Sequence, residues 1–165
     1  MIKTMDDVSM AECHKVVADY MLVMVTSNQS DKWKKDKLSR IWANLIYDRG
    51  AIETKYMSYE MSKLFNTETF TPHLLNRLSV KDHVIERQEG LILFILGRCT
   101  VDDCCRVVRV TKEQNNNRND KGTSAIGDIL YEYETKTGAG GGTRLTGKEV
   151  PISYIYKWMS RADSL

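Results

Sequence analysis

The stretch LSVKDHVIERQ, Leu78 to Gln88, decides how the middle of the chain is interpreted. It contains an acid–histidine doublet, Asp82-His83, in a chain with only 3 histidines among 165 residues. Val80 and Val84 flank the doublet, and β-branched residues favour strands. The stretch therefore predicts either a short strand or a tight entry into a helix, with an ionisable pair inside it.

Upstream of this stretch, the spacing of apolar residues is typical of helices. Apolar side chains recur at three- and four-residue steps from about Met5 to Thr26, and again from about Lys32 to Tyr47. Asp31 is the expected N-cap of the second helix. A third helix is expected from about Ser58 to Phe65. The first half of the chain is therefore predicted to be helical.

Downstream, helical and strand-like segments follow one another. EGLILFILGR, residues 89–98, favours a helix, whereas CRVVRV, residues 105–110, has the β-branched content of a strand. Thr111 is then the expected N-cap of a polar helix that begins TKEQNNNRND. IGDILYEYETK, residues 126–136, predicts another strand.

The last part of the chain is rich in glycine. TGAGGGTRLTG, residues 137–147, predicts a mobile linker, and PISYIYKWMSRA, residues 151–162, predicts a short helix. The expected fold is α+β and mainly helical, with N-terminal helices packed on a small ββα-like core, then a flexible Gly-rich loop and a C-terminal helix. The expected segments are a helical region at 1–70, the core at 71–136 and the C-terminal part at 137–165.

The composition is that of an ordinary globular protein, with 42% hydrophobic and 28% charged residues and a net charge of +2. No apolar run reaches the ~18 to 20 residues that span a bilayer, and the first residues lack the pattern of a secretory signal. We therefore expect no membrane partner and a cytoplasmic location. The four cysteines lack the spacing of a zinc site and are expected to be small buried hydrophobes. They are Cys13, Cys99, Cys104 and Cys105.

A basic group lies at the start of the second predicted helix. DKWKKDKLSR, residues 31–40, carries five Lys and Arg against two Asp. Such a group is either a solvated face or a contact surface for the phosphates of DNA. The residues predicted to contact nucleic acid here are Lys32, Lys34, Lys35, Lys37 and Arg40.

The order of the doublet, the strand VVRV and the helix TKEQNNNRN resembles the HNH, or ββα-metal, endonuclease family of phages and mobile elements. The resemblance covers roughly residues 78–120. It implies a divalent metal ion, Mg²⁺ or Mn²⁺, which would neutralise charge on a scissile phosphate. By the resemblance, Asp82 would bind the metal and His83 would activate the attacking water.

The same resemblance assigns further ligands to the helix after the strand. Asn115 or Asn119 would complete the metal site, and Glu113 is an alternative one turn away. Arg87 and Arg118 would hold phosphates through bidentate contacts. The function implied is a metal-dependent DNA endonuclease or nickase that hydrolyses phosphodiester bonds. The alternatives are a non-catalytic DNA-binding regulator on the same scaffold and a helical protein–protein module.

Overall fold

The computed structural model describes residues 10–48, 50–65, 71–121 and 126–155. It describes the side chains of these residues except at positions 10, 11, 48 and 118–121. Within this part of the chain the α-helices are α1 (Met10–Val25), α2 (Asp31–Asp48), α3 (Tyr59–Ser62), α4 (Pro72–Leu78), α5 (Arg87–Ile95), α6 (Val101–Cys105) and α7 (Lys112–Lys121). The strands are β1 (Ile52–Ser58), β2 (Ser79–His83), β3 (Arg106–Thr111), β4 (Ile129–Lys136) and β5 (Gly142–Pro151).

The chain divides into two compact units, and each unit combines two separate segments. The first contains the described residues of Met1–Ala51 and Arg87–Cys105, and the second those of Ile52–Glu86 and Arg106–Leu165. The first unit is therefore helical, whereas all the described strands belong to the second. The three consecutive segments expected from the sequence stay a prediction.

The helix α2 provides much of the core of the first unit. Leu38, Trp42 and Leu45 are buried at three- and four-residue steps, which gives α2 one apolar face. The Trp42 Nε1 donates a hydrogen bond of 3.0 Å to the carbonyl oxygen of Arg87. Its ring centroid lies 4.9 Å from that of Phe94. Trp42 therefore connects α2 to α5 by both packing and a hydrogen bond.

Ser30, rather than the expected Asp31, caps α2. The Ser30 Oγ accepts a hydrogen bond of 3.2 Å from the backbone N–H of Trp33. This contact satisfies one of the amides that the first turn of a helix leaves without an intrahelical partner.

The second unit is built on a mixed five-stranded sheet with the order β2-β3-β1-β4-β5. β1 runs parallel to β3, and the other neighbouring pairs are antiparallel. A core of buried side chains forms in this unit from β1, α3, α4 and β4 and the single 3₁₀ turn after α3. Its members are Met57, Met61, Phe65, Leu75 and Tyr133.

The polar helix α7 begins where the sequence predicts. The Thr111 Oγ1 accepts a hydrogen bond of 3.1 Å from the Gln114 backbone N–H. In return, the Gln114 Oε1 accepts one of 3.1 Å from the Thr111 backbone N–H. This reciprocal pair is a capping box and fixes the turn from β3 into α7.

The expected mainly helical fold with a small ββα-like core is wrong. β2 and β3 are two members of a five-stranded mixed sheet rather than a separate small core. The sequence over Ile52–Ser58 carries a weak strand signal, because Glu53, Thr54 and Lys55 interrupt its apolar residues. β1 nevertheless occupies the centre of the sheet.

The predicted Gly-rich linker is also wrong, since β5 begins at Gly142 and pairs with β4 along its length. The glycines at the turn adopt backbone conformations, or lie in tight places, that disfavour residues with a Cβ. Gly138 and Gly140 have φ angles of 98° and 74°, which favour glycine. At Gly141 a Cβ would overlap the carbonyl oxygen of Lys136. The glycines therefore close a β-hairpin.

The C-terminal helix expected over 151–162 lies largely outside the described residues. Within them, Ile152–Tyr154 forms a single 3₁₀ turn. The start of the first predicted helix, at Met5, also lies outside them. In the part of the chain that is described, no helix has both the length and the apolar character needed to cross a membrane.

Candidate functional site

The Asp82-His83 doublet lies at the end of β2. Asp82 is opposite Val108 and His83 is opposite Val107 in the antiparallel pairing with β3. Asp82 is buried, with 9% of its surface exposed, and His83 is partly buried. Since successive residues of a strand alternate between the two faces of a sheet, these neighbours project to opposite sides.

This arrangement does not fit a single cation held by both residues. A shared ion needs ligand atoms within ~2 to 2.6 Å of one point. The register from Ser79 to His83 is continuous, so no turn within β2 brings the two side chains to one face. In addition, the described residues contain no group of three or more His, Cys, Asp and Glu side chains that could hold a metal ion. The catalytic and metal-binding roles stay predictions.

The helix that was expected to supply the last ligand does follow β3 directly. α7 contacts both β2 and β3. Asn115 is partly buried on α7 and Glu113 is exposed, whereas the side chains of Arg118 and Asn119 lie outside the described residues. α7 starts after Thr111, which pairs with Ser79 at the first residue of β2. The doublet is at the opposite end of that strand.

Four of the five predicted phosphate contacts on α2 are exposed to solvent. These are Lys32, Lys35, Lys37 and Arg40. The fifth, Lys34, is buried, with 9% of its surface exposed, because it lies one helical turn from the buried Leu38. The exposed carboxylates of Asp31 and Asp36 reduce the charge of this side of the helix but leave it positive.

Arg87, which was also predicted to hold phosphates, contacts the same side of α2. The Arg87 Nη1 donates a hydrogen bond of 3.3 Å to the hydroxyl of Tyr47. Its guanidinium carbon lies 5.4 Å from the centroid of the Tyr47 ring, within the range of a cation–π contact. Tyr47 is 63% exposed and follows Arg40 by seven residues, so the two share one helix face. We call Lys32, Lys37, Arg40, Tyr47 and Arg87 the basic surface.

The second unit contains a polar cluster centred on Glu53 of β1. Arg109 of β3 places its Nε 3.0 Å and its Nη2 2.9 Å from the Glu53 Oε1. The Lys81 Nζ lies 3.1 Å from the other carboxylate oxygen. The hydroxyl of Tyr133 donates a hydrogen bond of 2.9 Å to Oε1. One carboxylate therefore receives hydrogen bonds from three strands.

These contacts determine the protonation of the cluster. Partial burial favours the neutral form of Glu53, but hydrogen bonds from Lys81, Tyr133 and Arg109 outweigh it and lower the pKa of the carboxyl. Burial, followed by the hydrogen bond to Glu53 and its negative charge, raises the pKa of Tyr133 to about 12. At neutral pH the cluster therefore holds a carboxylate, two cations and a neutral phenol.

The cluster opens into a pocket of about 270 Å³. Its polar lining residues include Glu53, Arg109, Lys55, Thr135 and Thr143. Pro72 and Leu75 of α4 contribute an apolar wall. The pocket lies within the second unit, since all these residues belong to it.

Glu53, Tyr133 and Arg109 were not among the functional residues predicted from the sequence. One signal was available. Arg109 interrupts the apolar strand CRVVRV, and a charge inside a buried strand requires a charged or hydrogen-bonding partner. The partner itself was not predictable, because β1 was not recognised as a strand.

No family model matches this chain, and no curated protein or solved structure shows significant similarity to it. The resemblance to the HNH family therefore rests on the order of the doublet, the strand and the polar helix alone.

Proposed function

We propose that the protein is a cytoplasmic DNA-binding protein that contacts phosphates through the basic surface of its helical unit. The observation that carries this proposal is the contact between Arg87 and Tyr47. It places a cation from α5 at the C-terminal end of α2, about two helical turns from Arg40, although 40 residues separate Arg87 from Tyr47 in sequence. Cations and an exposed aromatic ring on one surface are the groups that bind a nucleic-acid backbone and stack on its bases.

The charges on this surface suit phosphate contacts. Lys32, Lys37 and Arg40 are all exposed, and Arg87 is exposed at the first residue of α5. Asp36 is the exposed carboxylate between Lys32 and Arg40. Four cations against the two carboxylates of Asp31 and Asp36 leave a positive surface, and arginine fits a phosphate through two parallel hydrogen bonds.

Binding without catalysis is the function that the geometry supports best. Asp82 and His83 project to opposite faces of the sheet, so the metal site of a nuclease has no support from their arrangement. A surface of fixed cations needs no metal ion to bind DNA. We therefore expect binding to persist in EDTA.

The test is fluorescence anisotropy with a labelled DNA duplex at fixed low salt. Arg40→Gln/Arg87→Gln removes two cations of the basic surface and should weaken binding by about tenfold. Tyr47→Ala removes the ring that positions Arg87 and should therefore also weaken DNA binding.

The matched control is Lys63→Gln/Lys112→Gln, which removes two exposed cations from the other unit and changes the net charge by the same amount. The control should bind like the wild type. Equal weakening in both double variants, or no binding by the wild type, would overturn the proposal.

The same samples test the nuclease prediction separately. Supercoiled plasmid with Mg²⁺ or Mn²⁺ should remain intact in the presence of the protein. Nicking that depends on the metal and is abolished by His83→Ala would instead establish the endonuclease and make DNA binding only part of the function.

A further inference from the structure

The pocket beside Glu53 carries more positive than negative charge. Its lining cations are Lys55 and Arg109, and its lining carboxylate is Glu53. Lys81 adds a third cation through its contact with Glu53. Three cations against one carboxylate leave two positive charges at the pocket.

Part of this charge is not used by contacts within the protein. Arg109 has five N–H donors, and its contacts with Glu53 and Ser79 use three of them. Lys55 and Asn76 both line the pocket, and neither side chain has a hydrogen-bond or ion-pair partner among the described residues. Donors therefore remain for a ligand.

The backbone at the pocket is strained at one of these donors. Lys55 has a φ of 61° and is the one non-glycine residue with a positive φ in the described part of the chain. It lies where the register between β1 and β3 shifts, between Glu53 and Met57. This conformation is unfavourable for a residue with a Cβ, and such strain is concentrated at binding sites.

We propose that this pocket binds a small phosphate monoester, with Lys55, Arg109 and Asn76 as the groups that contact the phosphate. A phosphate monoester carries a charge of about −1.5 to −2 at neutral pH. That charge matches the two unbalanced positive charges better than the single charge of a carboxylate does. The site is separate from the basic surface and does not depend on DNA binding.

The apolar wall accounts for the choice of an ester over the free anion. Leu75 and Pro72 are the apolar side chains of the lining, and Leu75 belongs to the same core cluster as Tyr133. The organic part of a monoester would bury apolar surface there, whereas inorganic phosphate would not. The volume of about 270 Å³ admits a ligand near the small end of the usual size range.

Isothermal titration calorimetry without DNA tests the site, with phenyl phosphate and benzoate as probes that share a ring and differ in charge. Wild-type protein should bind phenyl phosphate at one saturable site and benzoate at least about tenfold more weakly. Arg109 is buried, so its replacement risks the fold. Lys55→Met is the informative variant because Lys55 is exposed.

We expect Lys55→Met to weaken the binding of phenyl phosphate by at least about tenfold. Lys112→Met, which removes an exposed lysine elsewhere in the same unit, should bind like the wild type. The absence of saturable binding, equal affinity for benzoate, or an unchanged affinity in Lys55→Met would each overturn the assignment. Loss of DNA binding in the basic-surface variants has no effect on this outcome.

Discussion

Arg109 and Glu53 lie on neighbouring parallel strands, and the Nη2 of Arg109 is 2.9 Å from the Oε1 of Glu53. Only 8% of the Arg109 side chain is exposed, against 38% for Glu53. A cation buried to this extent needs its partner, because an uncompensated charge in the interior is costly. The pair therefore holds β1 and β3 in register at the pocket.

Glu53→Gln should destabilise the protein at neutral pH. The amide leaves Arg109 without a countercharge, and hydrogen bonds to charged groups contribute about 1.5–3 kcal/mol each. Since Glu53 is partly exposed, solvent screening reduces this to about 1–2 kcal/mol. Urea denaturation at pH 7 measures the change. The matched control is Glu134→Gln, because Glu134 forms an exposed ion pair with Arg144 and its replacement should leave the stability almost unchanged.

The effect of Glu53→Gln should also depend on pH. The pKa of Glu53 is lowered below its ordinary value of 4.5 in the folded protein. The contribution of the Glu53 carboxylate to the free energy of unfolding is therefore present above pH 4.5, and it is lost as the pH falls through the lower, folded-state pKa. The difference in unfolding free energy between wild type and variant should shrink over this range. A difference that stays constant down to acid pH would contradict the lowered pKa.

Tyr133 should titrate above the ordinary tyrosine pKa of 10.0. Burial raises its pKa from 10.0 to about 12, with a further contribution from Glu53. Ultraviolet difference absorbance between wild type and Tyr133→Phe isolates this phenol. Because the folded-state pKa of Tyr133 is raised, the contribution of its neutral phenol to the free energy of unfolding is complete below pH 10. This contribution is lost as the pH rises towards 12. A difference signal centred near pH 10 would show that Tyr133 is not buried against Glu53.

Two substitutions at Lys55 should have opposite consequences for stability. Glycine adopts a positive φ without steric cost, so Lys55→Gly should retain or increase the melting temperature. Valine is β-branched and strongly disfavours this conformation, so Lys55→Val should lower the unfolding free energy by about 1–3 kcal/mol. Thermal denaturation of the two variants compares them. Equal stability of both would show that residue 55 does not adopt a left-handed conformation.

The four cysteines should differ in reactivity. Cys13 is exposed on α1, whereas Cys99, Cys104 and Cys105 are buried. A hydrogen bond with Cys99, together with burial, raises the pKa of Cys104 and keeps it a thiol. A thiol reagent should therefore modify Cys13 in the native protein and the other three only in denaturant. Mass spectrometry of the native adduct identifies the site, and rapid labelling of Cys104 would be incompatible with the packing described.

Local signals in the sequence predicted the elements whose residues carry them directly. Thr111 and Gln114 form the capping box that starts α7, and the β-branched run of β3 is a strand. Burial was expected for all four cysteines; it is confirmed for Cys99, Cys104 and Cys105, whereas for Cys13 it is wrong because that residue is exposed on α1. These features depend on neighbours within a few residues, which is why they could be predicted.

The remaining features depend on pairing between distant segments. β1 is polar at its start and occupies the sheet centre because β3 and β4 pair with it on both sides. The glycines after β4 close a hairpin that composition alone cannot distinguish from a linker. The partner of Arg109 lies 56 residues away, so no local pattern identifies the Glu53 cluster.

The salt dependence of DNA binding tests the central claim most directly. Each phosphate contact contributes a slope of about −0.9 to the dependence of the logarithm of the association constant on the logarithm of salt concentration. Arg40→Gln/Arg87→Gln should therefore reduce the magnitude of the slope by about 2. Lys63→Gln/Lys112→Gln should leave the slope at its wild-type value. Identical slopes in wild type and both variants would show that the basic surface does not contact the phosphates of DNA.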